Sequence, residues 1–574
     1  KAGDLVGPYK IHAQYRARLK EFYEYTLTEL KKPQNLNQPN TFIEIEREKA
    51  PYFNSKAELQ GYWNKMLVSQ LINLNITKEE ELAKQKALKD NPELANGQDL
   101  TAPEDLTPVQ TLTKRYTRQL ERISRTKSDD VLDKTLNAMM ATYDPHSNYF
   151  PPIDAMELNR QTTLQLEGIG VSIRPERGNE DYTKIETIVE GGPASKSGQV
   201  KSGDRIIGVA QDGDTMVDVI GWTSSEIVGL IRGKRGTKVS LKLLGAGASM
   251  SQARTISLVR DIIQEEDAGV RTRVVEITRE GKKHQFGVIE IPSFYLNYRA
   301  RRAGTEYRSV SEDTNKALKE LSAKKVEGII IDLRNNPGGS LEEVAKMLGQ
   351  VVKSGPVVQI RDGNGNVSVF EDNDNGAQTY AGPLAVMINL ASASASEIYS
   401  AAIQDYERGI VIGSTTTGKG TAQVQLDSLA YGQATLTQRK FYRITGGSTQ
   451  NKGVIPDIKL VDIYNDQFGE RKSKNPLEWD TIPTAPFVRE GEVQKHIKVL
   501  EKQSAQRGSA DPQFQYLEKR KQIAQENEDR KQLVLDMSQR KAELLALEKR
   551  TLDAENQRRQ ATGLKPYANW ESYQ

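Results

Sequence analysis

The hydrophobic pattern of the chain changes period three times, and each change marks a new kind of structure. Up to about residue 160 the apolar positions recur at helical spacing. The capping-box sequence Ser55-Lys56-Ala57-Glu58 opens a run whose stripe carries Trp63, Leu67, Leu71 and Leu74. Thr107-Pro108 opens a second, with Leu112, Tyr116, Leu120 and Ile123 on one face. The segment KDNPELANGQDLTAPED between them reads as a polar loop. From about 161 to 262 short β-branched runs alternate with glycine turns, interrupted by one helix, SSEIVGLIRG. From about 263 to 460 strands alternate with helices: FGVIEI, EDTNKALKELSAKK, VEGIIIDLR, LEEVAKMLGQVV, PLAVMINL, SEIYSAAIQDY and GIVIG. That alternation predicts an α/β layer around a buried sheet. After 460 a polar connection leads into charged helices from about 510, among them QLVLDMSQRKAELLALEKRTL.

Composition narrows the chemistry. The 574 residues are too many for one core, so several domains are expected. A net charge of +3, with both signs mixed along the chain, argues against a nucleic-acid partner. The charged tail reads as solvated helix faces. No window approaches 18 consecutive apolar residues, the length that would span a bilayer. The opening residues carry no apolar signal core, so the chain is expected either to stay where it is made or to have had a targeting segment removed. With no cysteine and only four histidines, His12, His146, His284 and His496, none paired at ligand spacing, no metal or other cofactor is expected. Hydrolytic chemistry would have to run on hydroxyls, carboxylates and lysines.

Two motifs compete for that chemistry. Gly413 to Lys419 comes within one residue of a phosphate-binding loop, but Gly420 stands where a magnesium-binding hydroxyl is needed. The residues that follow alternate as a strand rather than a helix. An acidic partner for magnesium, Asp332 in GIIIDLR, would precede the lysine, the reverse of the usual order. Upstream, Ser394 lies where the strand PLAVMINL runs into a helix through small residues (Ala391, Ala393, Ala395). That junction exposes a side chain and leaves free N–H groups. A serine needs a base, and a buried lysine can be one if it is neutral. Ser394 with Lys419 is thus the nucleophile–base pair that the sequence readily offers; the alternative is a small-residue turn with helix capping and an ordinary lysine. DLRNNPGGSLEEV adds two glycines ahead of a helix, which suits either an oxyanion hole or a plain strand–helix turn.

Taken together, SASASE at 392–397, GKGTAQ at 418–423, DLRNNPGG at 332–339 and DPHSNYF at 144–150 resemble the C-terminal processing proteases. KFYRITGGSTQNKGVIPDI at 440–458 and NPLEWDTI at 475–482 resemble their periplasmic tail-specific subgroup. The resemblance covers roughly residues 105 to 485 and the helical flanks more loosely. It implies Ser394 as nucleophile, Lys419 as general base, a supporting Asp405, and Gln423 positioning the lysine. Eleven residues of helix separate Asp405 from Ser394 by about 16 Å, so Asp405 is expected to brace the site from a distance. The oxyanion donors implied are the amides of Ala395 and of Gly338 or Gly339. Gly168-Ile169-Gly170-Val171 resembles the carboxylate-binding loop of a PDZ domain, where a substrate tail adds a strand to the sheet. Ile227 and Ile231 would line its apolar pocket or belong to the core. Thr417, Pro337 and His146 depart from the residues that the family commonly carries at those positions.

The expected architecture is multidomain α+β. It comprises a helical N-terminal domain (1–160), a PDZ domain (161–262), an α/β protease core of ClpP/crotonase type (263–460) and a helical C-terminal domain (461–574). The resemblance further implies a cofactor-free endopeptidase acting on unfolded or tagged proteins with apolar C-termini. Its setting would be the periplasm once a signal peptide is removed, with room for a lipoprotein adaptor and peripheral association with the membrane.

Overall fold

The computed structural model describes residues 5–90, 106–152, 154–155, 157–158, 165–176, 179–245, 248, 250–264, 269–372, 378–426, 429–463 and 468–573. The polar loop beyond Asp90 and the boundary at 160/161 fall outside these residues. The chain divides into two compact units, Lys1–Leu132 with Ile169–Arg260 and Glu518–Gln574, and Asp133–Gly168 with Asp261–Leu517.

In the first unit the helices Val6–Glu29, Lys56–Asp90 and Pro108–Ser124 bury the stripe that their periodicity predicts. Leu67, Leu71, Leu112 and Tyr116 close one cluster with Leu30. Thr107 starts the third helix with a capping box to Gln110. Helical periodicity does not foresee one pairing here. Strand Asn37–Glu44 lies antiparallel to Gln532–Asp536, taken from a stretch that reads as helix. Leu533, Val534 and Leu535 are apolar in succession, and Asp536 accepts from the Gln539 N–H at 3.0 Å, so the following helix starts only there.

The same unit holds a sheet in the order Val171–Glu176, Asn179–Ile188, Arg205–Gln211, Lys238–Leu244, Arg254–Val259. Val171–Glu176 is an edge strand, hydrogen-bonded to Asn179–Ile188 on one side and to no other strand among the described residues. Helix Ser224–Ile231 packs beside it, capped by Thr223 and Glu226.

The second unit is built on a six-stranded sheet in the order Arg271–Arg279, Lys282–Glu290, Gly328–Asp332, Leu384–Ile388, Ile410–Gly413, Ile458–Lys459. All neighbours but the first pair run parallel. Ile289, Ile331, Val386 and Val411 are wholly buried within it, as expected of strands covered on both faces. Helices Val310–Ala323, Leu341–Gly349 and Ala395–Asp405 return the chain between strands. A second, antiparallel sheet joins Val367–Glu371, Pro356–Asp362, Gln433–Tyr442 and Thr421–Leu426, and Asn148–Phe150 pairs with Gln433–Tyr442. Residues 144–150 therefore belong to this unit rather than to the helices that precede them.

Candidate active site

Three consecutive parallel strands end side by side: Gly328–Asp332, Leu384–Ile388 and Ile410–Gly413. The loops leaving their carboxyl ends carry Gly338-Gly339, Ser394 and Lys419. Parallel pairing thus gathers the three motifs at one rim of the sheet, the usual place for a site in such a layer.

Ser394 sits at the N-terminus of helix Ala395–Asp405 with φ +54° and ψ −108°, a conformation that an L-residue adopts only when its surroundings impose it. Glu397, one turn on and wholly buried, supplies the constraint. Its Oε2 accepts the N–H of Ser394 at 2.7 Å and of Lys419 at 3.0 Å. Its Oε1 accepts the Gly418 N–H at 2.7 Å and the Thr416 hydroxyl at 2.6 Å. Burial pushes this carboxyl up to about 7, against the pull of Thr416 and the amides of Gly418, Ser394 and Lys419. Glu397 is absent from the sequence-based site. Its signal is visible in hindsight as the Ser-x-x-Glu spacing of a capping box, read there as part of a turn.

Lys419 stands on a turn held from several sides. Its neighbour Gly418 has φ +89°, and a Cβ there would meet the Asn451 backbone at 3.0 Å. Gly420 donates to Gln450 Oε1 at 2.8 Å, and Asn451 N–H donates to Gly418 O at 2.8 Å. The Lys419 side chain is half-buried and forms no ion pair among the described residues. Burial pulls its amine below the ordinary lysine range, while Glu470, Glu397 and Asp144 pull it back. The Gln423 amide donates to Thr421 and Thr437, both at 3.0 Å.

The glycine loop reaches the serine directly. A Cβ on Gly338 would lie 2.8 Å from Ser394 Cβ and 3.0 Å from Ala395 N. The Gly338 N–H donates to Asn336 Oδ1 at 2.9 Å, which removes it from the pool of oxyanion donors in this arrangement. Gly339 and Ala395 N–H have no acceptor among the described residues. Asp405 lies at the far end of the serine helix, nearly buried. It accepts from Arg443 Nη2 at 2.6 Å and from Thr445 at 3.3 Å. An acid at a helix C-terminus faces the wrong end of the dipole, and the Arg443 guanidinium offsets this.

In the first unit, the Ile169 and Gly170 N–H groups have no acceptor among the described residues. Gly168 belongs to strand Gln165–Gly168, paired with Asp261–Gln264 in the other unit. Val171 opens the edge strand. Ile227 and Ile231 are buried in the sheet's core at 0% and 5% exposure, while Val171, Ile173, Ile188, Trp222 and Leu230 are the half-buried apolar side chains packed against that core. The strand-to-helix turn at Asp332, the suggested magnesium partner, is closed by a two-point ion pair with Arg334, at 2.9 and 2.6 Å.

Comparison with known proteins places the chain in a family. Residues 285–460 match peptidase family S41, 157–244 a PDZ domain, 1–153 the tail specific protease N-terminal domain, and 463–574 the C-terminal domain of tail specific protease. The chain is 37% identical over 553 residues to the tail-specific protease of Haemophilus influenzae, covering 94% of this chain and 73% of that protein. It is 29% identical to the carboxy-terminal-processing protease of Bartonella bacilliformis, covering 67% and 78% respectively. Among solved structures it is similar to the PDZ domain of the carboxy-terminal protease from Vibrio cholerae in complex with a peptide. That likeness is 44% identical over 17% of this chain and 98% of the other, with a TM-score of 0.16. The chain belongs to peptidase family S41, among its tail-specific proteases. It is accordingly a serine-type C-terminal processing peptidase that carries a PDZ domain. None of its described helices is long and apolar enough to cross a membrane.

Proposed function

We propose that this peptidase cuts with a Ser394–Lys419 dyad and selects substrates by apolar C-termini held on its PDZ domain. The observation that carries the reading is the buried Glu397 carboxylate, which fixes the backbone of both residues while burial favours a neutral Lys419 amine. Lys419 Nζ takes the Ser394 hydroxyl proton as Oγ attacks the scissile carbonyl carbon. The oxyanion forms against the Gly339 and Ala395 N–H groups at the positive end of the serine helix. Lys419 then returns the proton to the leaving amine, and water, activated by the same amine, hydrolyses the acyl-serine.

In this reading residues 161–262 hold the substrate's terminal carboxylate at the Ile169 and Gly170 amides. The tail adds a strand along Val171–Glu176, beside Leu230. Residues 263–460 cut the chain, and the helices of 1–160 and 461–574 offer a lipoprotein adaptor its footing. The setting is the periplasm, with peripheral contact to the membrane. A rival reading is a PDZ adaptor with idle catalytic residues. The decisive assay uses an unfolded substrate ending in apolar residues, without ATP or metal, beside Ser394→Ala and Lys419→Ala. Cleavage by the wild type alone is expected. An intact substrate with wild type, or equal cleavage by the variants, sinks the dyad.

A further inference from the structure

The lysine turn is anchored on two sides. One anchor is Glu397. The other begins at the Gly420 N–H, which donates to Gln450 Oε1 at 2.8 Å. The Gln450 amide, wholly buried, donates onward to Glu470 Oε1 at 2.9 Å. Glu470 also donates its own N–H to Thr417 O at 2.9 Å, so it grips the turn through backbone as well as side chain. Its second oxygen, Oε2, lies 2.7 Å from His146 Nε2. Glu470 is 1% exposed at the side chain and His146 is 23% exposed. Two groups thus hold a buried carboxylate, and the histidine is the one that solvent reaches.

His146 is itself held firmly. Its N–H donates to Asp144 Oδ1 at 2.8 Å, and its carbonyl accepts from Thr435 at 3.2 Å. Asp144 also accepts from Thr437 at 2.7 Å, which in turn accepts from Gln423. The charged groups facing Lys419 are Glu470, Glu397 and Asp144; those facing His146 are Glu470 and Asp144.

We propose that His146 is a positioning residue for Lys419, acting through Glu470 and Gln450. Two effects follow from one hydrogen bond. It fixes the Glu470 carboxylate, and so the Gln450–Gly420 contact that sets the turn. It also draws electron density from Glu470 toward the imidazole, which weakens the field that favours an ammonium at Lys419. Without it, a buried oxygen loses its partner and the Lys419 proton is held more tightly. The proposal rests on Lys419 as the base.

The test is the pH–rate profile for an apolar-tailed peptide, measured with His146→Phe and His146→Gln in the full chain. His146→Phe is expected to lower kcat about tenfold with KM within about twofold, and to move the rising limb to higher pH. Gln places an N–H where Nε2 stood, so His146→Gln is expected to restore kcat to within about twofold of wild type and to return the limb. An unchanged kcat and profile in His146→Phe overturns the proposal. So does a folded His146→Phe whose defect His146→Gln does not relieve, or whose limb stays in place. Should His146→Phe melt below the assay temperature, His146→Asn, too short to reach Glu470, is judged by the same criteria. Lys419→Ala separates the two readings. If it still cuts, the dyad fails; if it is dead while His146→Phe matches wild type, only the role of His146 fails.

Discussion

Ser394 and Lys419, 25 residues apart in the chain, donate their backbone N–H groups to a single oxygen of Glu397, at 2.7 and 3.0 Å. The Ser394 loop and the Lys419 loop therefore share one acceptor, and what disturbs it disturbs both.

Glu397→Ala is expected to be severe. It strands three amides and the Thr416 hydroxyl in a buried site, each at a cost of about 1–3 kcal/mol before relaxation. Denaturant unfolding is expected to show a loss above about 3 kcal/mol. Glu397→Gln turns an NH2 toward one pair of donors and should lose activity with a smaller loss of stability. Because burial raises this carboxyl from 4.5 to about 7, its favourable contribution is full below pH 4.5 and fades as pH rises through about 7. Wild type and Glu397→Gln stability curves should converge over that interval. Parallel curves would count against the buried ionisation.

The rate should follow Lys419. With Lys419 as the proposed base, which acts only when neutral, log kcat/KM is expected to rise with pH and level off below 10.5, the ordinary lysine value, since burial lowers the amine. The stability sign is the reverse of a partnered lysine. A lowered folded value penalises the protonated form below it, and the penalty vanishes above 10.5. Lys419→Met should therefore melt higher than wild type at neutral pH, with the gap closing toward pH 10.5.

Gly338 and Gly339 should fail for different reasons. Gly338→Ala drives a methyl to 2.8 Å from Ser394 Cβ at φ +106°, and kcat is expected to fall at least about 100-fold. Gly339→Ala drives its methyl into the Phe294 carbonyl, within the bridge that holds the loop. It should cost stability as well as rate, readable as a lowered Tm that Gly338→Ala shows less.

The Asp405–Arg443 pair can be measured by a double-mutant cycle. Asp405 is 4% exposed and Arg443 25%, so the pair is buried at one end only. Asp405→Ala is expected to cost about 2–3 kcal/mol, below the range for fully buried pairs, with a coupling energy of about 1–2 kcal/mol. Activity should fall with it, since the brace holds the helix that begins at Ser394.

The PDZ side chains separate core from groove. Ile227→Ala should destabilise its domain by about 2–5 kcal/mol, as a large-to-small change at a wholly buried site does. Leu230→Ser should raise KM for an apolar-tailed peptide while leaving the melting of the domain within a few degrees.

The sequence alone determined the periods that separate helices, strand-rich segment and α/β layer, because apolar spacing is a local property of each element. It also held the residue types that chemistry requires: Ser394 at a strand–helix junction, Lys419 between glycines, and two glycines before a helix. Family S41 was legible from those motifs. Only the tertiary structure decided how they meet. Parallel pairing of Gly328–Asp332, Leu384–Ile388 and Ile410–Gly413 sets three distant loops on one rim, a long-range fact that no window of sequence contains. It spent the Gly338 amide on Asn336, buried Ile227 in the core, and paired Asn37–Glu44 with a strand nearly five hundred residues on. It also brought His146, Glu470 and Gln450 behind the lysine turn. A hydrogen bond between residues hundreds of positions apart leaves no periodicity, so these supports became visible only once the chain had closed around them.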